Sequence, residues 1–386
     1  MSARRHVFIY VQHLLGVGHL KRAATLAGAL VAAGMEVTVA SGGTPVAGIA
    51  FGGARLVQLP PASSADMTFK TLLDESGRPI DEAWKRRRAQ ALLDAWRESG
   101  AHALLVELFP FGRRQMRFEL LPLLEEAAAA RPRPAIVCSL RDLLGGQKSR
   151  ERQEESVALA ERFFDRVLVH SDPSVVRLER SFPLAPRLAA KVEYSGYVVD
   201  APPQERKTAA GHGEVIVSAG GGAVGEALLD AAMRGRALTS LKERPWRVLA
   251  GHNLNAAAYE RLARLAHGGI TLERSRTDFT TLLGNCELSV SQAGYNTLME
   301  TLAARARAVV VPFTGVAETE QTERARCFAE RGLLEWVDER KLDPSRLAQA
   351  IDRAAAKPRP EPGAIDLNGA VRSAELMAEW AGASPR

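Results

Sequence analysis

The residues best suited to chemistry in this chain lie in Ser291-Gln-Ala-Gly-Tyr-Asn-Thr-Leu-Met-Glu300, followed by the apolar run Ala308-Val-Val-Val-Pro-Phe313 and by Glu320-Gln321. The pattern predicts a buried strand over Glu287–Ser291, a tight turn at Gly294, a helix, a second buried strand and a second helix opening on Glu-Gln. Such a turn points backbone N–H groups at a helix N-terminus, where the dipole favours an anion. Thr297 falls in the first turn and can add a hydroxyl to a phosphate. Glu300, three residues on, shares that face, and its carboxylate can accept bonds from two vicinal hydroxyls such as those of a ribose. Glu320 and Gln321 offer acceptors and donors to a second polyol. One nucleoside diphosphate plus one sugar would satisfy all of these groups.

Gly294-x-x-Thr297-x-x-Glu300, the Val311-Pro312 after it and the Glu320-Gln321 pair resemble the donor-binding half of glycosyltransferase family 28. One member of that family is the N-acetylglucosaminyltransferase that completes the peptidoglycan lipid precursor. The resemblance spans roughly residues 212–335 and implies an α/β protein of GT-B fold, with two Rossmann-like domains facing a cleft and a C-terminal helix crossing back. It also implies a nucleotide-sugar donor of UDP type. A Rossmann-like core without a ligand is the plain alternative.

A second candidate is the loop Gly16-Val-Gly18-His19-Leu-Lys-Arg22, between the first strand and the first helix. Open α/β sheets bind ligands at the carboxyl ends of their strands, so this loop should line a site. It fails as a dinucleotide fingerprint, because Lys21 stands where the third glycine belongs. A Gly-x-Gly-His loop here resembles the acceptor side of GT-B enzymes, where a histidine or a carboxylate removes the proton of the acceptor hydroxyl. A neutral imidazole titrating near 6.5 suits that task; a histidine at a helix start is the structural alternative. Glu107, Asp142 and Asp172 each fall at or just past a strand end and are candidates to orient His19 or touch the acceptor. Glu107 comes first, since strand, carboxylate and Pro110 resemble the arrangement in the more distantly similar plant glycosyltransferases. As single residues, all three also read as caps or turns.

Gly220-Gly221-Gly222-Ala-Val-Gly225 follows another predicted strand and matches Gly-x-Gly-x-x-Gly. A dinucleotide would require an acidic residue at the end of the next strand, which instead ends Leu249-Ala-Gly-His252. The resemblance favours backbone amides approaching a donor diphosphate. Phe279 has the look of the residue that lies against the nucleobase, and a core phenylalanine explains it equally well. No Asp-x-Asp is present to clamp a metal on the diphosphate, so the expected site is metal-free and needs no cofactor, with helix dipoles and amides stabilising the leaving charge.

These residues need two α/β domains to hold them, and 386 residues suffice. Apolar runs alternate with amphipathic stretches, which argues for parallel sheets with crossover helices. The first half predicts strands at His6–Val11, Glu36–Ala40, Leu56–Leu59, Ala103–Leu108, Ala135–Ser139, Arg166–His170 and Val192–Ser195. The second half predicts them at Glu214–Ala219, Trp246–Ala250, Gly269–Leu272, Glu287–Ser291 and Ala308–Pro312. The expected domains are 1–200 for the acceptor and 214–365 for the donor, joined by a polar Pro- and Gly-containing linker at 201–213. Residues 366–386 form the crossing helix. Gly196-Tyr-Val-Val-Asp200 resembles the interdomain segment of the family but lacks its Asn and Pro, which leaves the acceptor open.

Hydrophobic residues make up 46% and charged residues 25%, as in ordinary globular proteins. Three scattered cysteines read as thiols in a reducing compartment, and no apolar stretch is long enough to span a bilayer. The expected location is cytoplasmic, with peripheral contact on the inner membrane face as an extension. A net charge of +6 and a pI near 9.4 favour an anionic partner. Trp84-Lys-Arg-Arg-Arg88 and Phe109–Phe118, with its Arg113, Arg114 and Arg117, carry no nucleic-acid motif, and nucleic acid is not expected. A basic patch edged by Trp84, Trp96, Phe111 and Phe118 would suit a membrane surface or a lipid-linked or anionic acceptor. A solvated helix face with ordinary counter-charges is the alternative.

The combined expectation is an inverting, metal-independent glycosyltransferase moving a sugar from a UDP-type donor to an acceptor hydroxyl. Two rivals share most features. The loop at His19 also resembles that of the nucleotide-sugar hydrolase of pseudaminic acid synthesis, and a non-catalytic nucleotide-sugar-binding subunit would keep the donor motif alone.

Overall fold

Strand β1 (His6–Val11) shows how the first sheet is built: Val7, Ile9 and Val11 enter the core on one face, Phe8 and Tyr10 on the other. Period-two alternation with both faces apolar belongs to a parallel strand covered by helices on both sides. The structure, a computed structural model, describes residues 4–14, 16–65, 71–146, 149–200, 209–220, 224–252, 254–315 and 319–382. The chain divides into two compact units. One comprises Met1–Leu144, Lys148–Val198 and Asn368–Arg386, the other Val199–Leu367 with Gly145–Gln147.

In the first unit β1 is joined by β2 (Glu36–Ser41), β3 (Arg55–Gln58), a short hairpin of β4 (Ser63–Ser64) and β5 (Leu72–Leu73), then β6 (Ala103–Glu107), β7 (Ala135–Arg141), β8 (Arg166–His170) and β9 (Val192–Tyr194). The seven-stranded sheet runs β3-β2-β1-β6-β7-β8-β9, all parallel. Helices α1 (Gly18–Ala32), α2 (Glu82–Ser99), α3 (Arg117–Ala129) and α4 (Arg150–Phe163) cover it. Asp81 caps α2 by accepting the Trp84 N–H at 2.7 Å, and Gly100 ends it in the left-handed conformation.

The second unit holds β10 (Val215–Ser218), β11 (Trp246–Leu249), β12 (Ile270–Glu273), β13 (Leu288–Ser291), β14 (Ala308–Val310) and β15 (Glu335–Trp336), in the order β12-β11-β10-β13-β14-β15 and again parallel. Its helices are α5 (Glu226–Gly235), α6 (Ala256–Ala263), α7 (Phe279–Asn285), α8 (Tyr295–Ala303), α9 (Glu320–Glu330) and α10 (Pro344–Ala356). The final helix α11 (Gly369–Trp380) belongs to the first unit and packs on α1 through Leu376, Met377 and Trp380. Gly369 allows the approach: a Cβ there would stand 2.4 Å from the Gly196 carbonyl oxygen.

In each sheet the chain starts in the middle, winds outward and returns to the other side. The strand order therefore reverses between β1 and β6 in one sheet and between β10 and β13 in the other. A crevice at the carboxyl ends of such strands is where open α/β sheets bind ligands.

One sequence expectation is corrected here. Trp84, Trp96 and Phe111 do not edge a surface patch; they lie in the core beneath α2 and α3. Arg88 is fully buried as well. It donates to Glu119 from Nε at 2.6 Å, to the Gly42 and Pro60 carbonyls, and to Gln12 Oε1 at 2.5 Å. Tyr10 completes the cluster with a bond to Glu119 at 2.5 Å. Arg114 and Arg117 both reach Glu155. What remains at the surface is a helix face with counter-charges, as Lys85 on Glu82 at 2.6 Å illustrates.

Candidate functional site

Two groups of chemistry-bearing residues assemble, one at the switch point of each sheet. In the first unit His19 sits on the second residue of α1, just beyond β1, and Glu107 ends β6 alongside. The His19 Nδ1 lies 2.9 Å from Glu107 Oε1. Arg22, one turn further along α1, donates to the same carboxylate, and Ser139 Oγ donates to its other oxygen at 2.7 Å. Burial by itself would raise the Glu107 carboxyl; Arg22, then the His19 N–H, outweigh it and hold it well below the usual carboxylate range. An ionised carboxylate only accepts, so His19 carries its proton on Nδ1. That tautomer leaves the Nε2 lone pair open, and Nε2 takes no hydrogen bond among the described residues. The arrangement fixes the orientation and the tautomer of the His19 ring.

The electrostatics differ from the sequence expectation. Burial first, then the Arg113 charge, lower His19 from 6.5 to about 3, against the raising effect of Glu107. His19 is therefore neutral throughout the neutral and mildly acid range. Behind Glu107, Ser139 Oγ lies 2.9 Å from His170 Nε2, and His170 Nδ1 lies 2.9 Å from Ser195 Oγ. His170 is wholly buried and is likewise lowered to about 3, by burial and then Arg22.

The other candidates of this unit fall into place around the pair. Gly16 is exposed, and Gly18 is the first residue of α1. Asp142 is buried just past β7, where its Oδ1 accepts the Leu143 N–H at 2.8 Å. Asp172 accepts the Ser174 N–H at 2.8 Å as a turn residue. Among the three carboxylates, Glu107 is the one bonded to His19.

In the second unit Gly220 follows β10 with φ +68, a conformation favouring glycine, and its N–H reaches Ser218 Oγ at 3.1 Å. Gly221 and Gly222 lie outside the described residues. A Cβ on Gly220 would stand 3.8 Å from Thr297 Oγ1, so the loops after β10 and β13 converge. Gly294 is the residue before α8 and has ordinary extended angles, φ −63 and ψ 140. A Cβ on it would meet nothing within 4 Å. Neither backbone conformation nor packing within the chain demands glycine there; close approach of a ligand to the helix N-terminus would. Thr297 is half-buried in the first turn of α8, and Glu300 is buried one turn on. Phe279 opens α7 half-buried, packed on the cluster of Ile216, Leu249 and Leu282.

Glu320 and Gln321 are less available than their sequence suggests. Glu320 is buried and accepts from Arg324 Nη2 at 2.6 Å, while Arg324 Nη1 donates to the Ala293 carbonyl at 2.9 Å. The pair thus braces the residue before Gly294. Gln321 Oε1 accepts the Phe313 N–H at 3.1 Å.

Sequence reasoning missed Gln292. It is buried just past β13, its Nε2 has no hydrogen-bond partner among the described residues, and that nitrogen lies 3.5 Å from where a Cβ on Gly225 would stand. The available signal was the polar Ser291-Gln292 pair directly after Val290, at the end of the strand. Arg324 was missed although Glu320 precedes it by one helical turn; its other partner, Ala293, is brought to it only by the fold. Among the described residues no cluster of three His, Cys, Asp or Glu side chains is placed to hold a metal ion. No helix there is long and apolar enough to cross a membrane.

Comparison with known proteins fits this geometry. Residues 267–375 match the glycosyltransferase family 28 C-terminal domain. A curated relative from Paracidovorax citrulli (strain AAC00-1) is 31% identical over 181 residues. It is the UDP-N-acetylglucosamine–N-acetylmuramyl-(pentapeptide) pyrophosphoryl-undecaprenol N-acetylglucosamine transferase. The match covers 45% of this chain and 50% of that protein, so the chain spans about half the length of the curated relative it matches. Among solved structures, the calicheamicin glycosyltransferase CalG4 aligns with a TM-score of 0.60 at 15% identity, over 99% of this chain and 96% of that one. MurG of Acinetobacter baumannii aligns with a TM-score of 0.59 at 15% identity, over 97% and 99%. The solved structures give the fold as GT-B, and the family model and the curated relative are both of glycosyltransferases.

Proposed function

We propose that the protein is an inverting glycosyltransferase that moves a sugar from a UDP-type nucleotide donor to an acceptor hydroxyl without a metal. The observation that carries this reading is the family 28 domain match, because residues 267–375 contain Gly294, Thr297 and Glu300. The α8 N-terminus with Thr297 and the Gln292 amide would hold the diphosphate, Glu300 the ribose, and Gln321 the sugar by donation. Phe279 and the backbone beside it would meet the base. A uracil donor is supported by the Paracidovorax relative, whose name specifies UDP-N-acetylglucosamine.

Orientation by Glu107 makes His19 Nε2 the acceptor of the hydroxyl proton. The hydroxyl oxygen bonds to the anomeric carbon, and the bond from that carbon to the diphosphate oxygen breaks. The electron pair leaves on the nucleotide diphosphate, where helix-terminal amides stabilise it. One displacement inverts the anomeric centre. Peripheral membrane contact from the cytoplasm goes with a lipid-linked acceptor, as the relative's undecaprenol substrate suggests.

The experiment is to incubate the protein with a panel of UDP-sugars, with and without acceptors, and follow products by proton NMR. Acceptor-dependent formation of a glycoside of inverted configuration supports transfer. Free sugar released at the same rate without acceptor favours the hydrolase, and UDP binding with no turnover favours the non-catalytic subunit.

A further inference from the structure

Glu107 is one end of a longer row of polar side chains that proton transfer at His19 does not itself use. Ser139 Oγ donates to Glu107 Oε2 at 2.7 Å and lies 2.9 Å from His170 Nε2. His170 Nδ1 lies 2.9 Å from Ser195 Oγ, which in turn lies 2.9 Å from the Gly196 carbonyl oxygen. The row crosses four neighbouring strands near their carboxyl ends, from β6 through β7 and β8 to the residue just past β9. Glu107, Ser139, His170 and Ser195 are all buried. An unpaired polar group is costly in the interior, so each proton of the row needs an acceptor.

Each serine hydroxyl has one proton, and a neutral imidazole has one proton and one lone pair. The row therefore has two self-consistent arrangements. In the first, every proton points toward the carboxylate: Ser195 donates to His170 Nδ1, His170 Nε2–H to Ser139, and Ser139 to Glu107. In the second, every proton points away: Ser139 donates to His170 Nε2, His170 Nδ1–H to Ser195, and Ser195 to the Gly196 carbonyl. Glu107 Oε2 then loses the Ser139 hydroxyl. Glu107 is ionised, and a hydrogen bond to a charged group is about twice as strong as one between neutral groups. The carboxylate thus selects the first arrangement, with His170 carrying its proton on Nε2 and His19 on Nδ1.

We propose that His170 is a positioning residue for the His19–Glu107 pair, acting through Ser139. Its Nε2–H fills the Ser139 oxygen and so directs the Ser139 proton onto Glu107 Oε2. Oε1 is left to His19 and Arg22, and the carboxylate cannot turn without breaking the row. A fully satisfied buried network of this kind is rigid. The fixed carboxylate in turn holds His19 in its Nδ1–H tautomer. The use of the row in turnover rests on the reading of His19 as the base; the direction of its protons stands without that reading.

The test reads both ring nitrogens of His19 and His170 by long-range proton–nitrogen correlation NMR, in the full-length protein labelled with 15N-histidine. The signals are assigned through His19→Gln and His170→Gln. In wild-type protein the two histidines should show opposite tautomers, His19 with its proton on Nδ1 and His170 on Nε2. Ser139→Ala and His170→Phe, each confirmed as folded by circular dichroism, should lose the single His19 tautomer and let the Nε2–H form appear beside it. In His170→Gln a side-chain amide N–H replaces the Nε2–H, so His19 should keep its wild-type tautomer. A wild-type His170 with its proton on Nδ1 overturns the proposal, because the row then runs away from Glu107. An unchanged His19 tautomer in folded Ser139→Ala and His170→Phe overturns it as well, since the row would then serve packing alone. The wild-type spectrum decides the matter even where a variant does not fold. Full turnover in His19→Ala would instead remove the reading of His19 as the base, and the tautomers would still report the row.

Discussion

Thr297 Oγ1 stands 3.8 Å from the point where a Cβ on Gly220 would lie, so the loops that follow β10 and β13 meet at one place. Thr297→Val removes the hydroxyl and keeps the shape. A neutral hydrogen bond contributes about 0.5–1.5 kcal/mol, so UDP affinity should fall by roughly 2- to 13-fold, with the melting temperature little changed. Calorimetric titration checks this, and an unchanged affinity would remove Thr297 from the diphosphate site.

Glu320 and Gln321 should separate cleanly. Glu320→Ala leaves Arg324 buried without its carboxylate, a change that typically costs about 3–5 kcal/mol. It also loosens the brace on Ala293, so both stability and UDP affinity should drop. Gln321→Ala should spare UDP and weaken only the UDP-sugar. Equal losses of UDP and UDP-sugar affinity in Gln321→Ala would contradict its contact with the sugar.

His19→Ala should reduce turnover by about 10²–10⁴-fold while UDP affinity stays near wild type. The pH dependence carries its own signature. His19 and His170 titrate near 3 in the folded protein, and an unfolded histidine titrates near 6.5. The unfolded chain therefore binds more protons between these values, and stability falls as pH drops from 6.5 toward 3. Each histidine contributes a slope of up to about 1.4 kcal/mol per pH unit. The acid limb of kcat/KM for the free enzyme should be absent between pH 8 and 5. A limb near 6.5 in the wild type that His19→Ala abolishes would show that His19 is not held down as described.

The run Lys85-Arg86-Arg87-Arg88 divides by burial. Arg88→Ala orphans Glu119 in the core and should destabilise by about 3–5 kcal/mol. Arg86→Ala and Arg87→Ala, on exposed positions, should stay within about 0.5 kcal/mol. Thermal unfolding of the three variants decides whether the cluster is half structural or wholly a surface feature.

The parallel strands were legible because their apolar runs are short, separated by amphipathic helices and closed by Gly-rich loops; β8 was predicted residue for residue. The hairpin of β4 and β5 and the edge strand β15 were not predicted, since two residues each carry no periodic signal. Gly294, Thr297 and Glu300 are local in sequence, so their shared helix could be read directly. The burial of Arg88 could not, because its partner Glu119 lies 31 residues away and a charged run ordinarily reads as solvent-facing. The lowered titration of His19 was hidden for the same reason. It depends first on burial and then on the charge of Arg113, both of which only the fold sets around α1.

The central claim is a nucleotide site on α8, and calorimetric titration of UDP into wild type and Glu300→Gln tests it most directly. Wild-type protein should bind one UDP per chain. A folded Glu300→Gln variant should bind more weakly by about 1.5–3 kcal/mol, the contribution of a hydrogen bond to a charged group, or roughly 10- to 150-fold. No binding of UDP to the wild type, or equal affinity in a folded Glu300→Gln protein, would contradict the account.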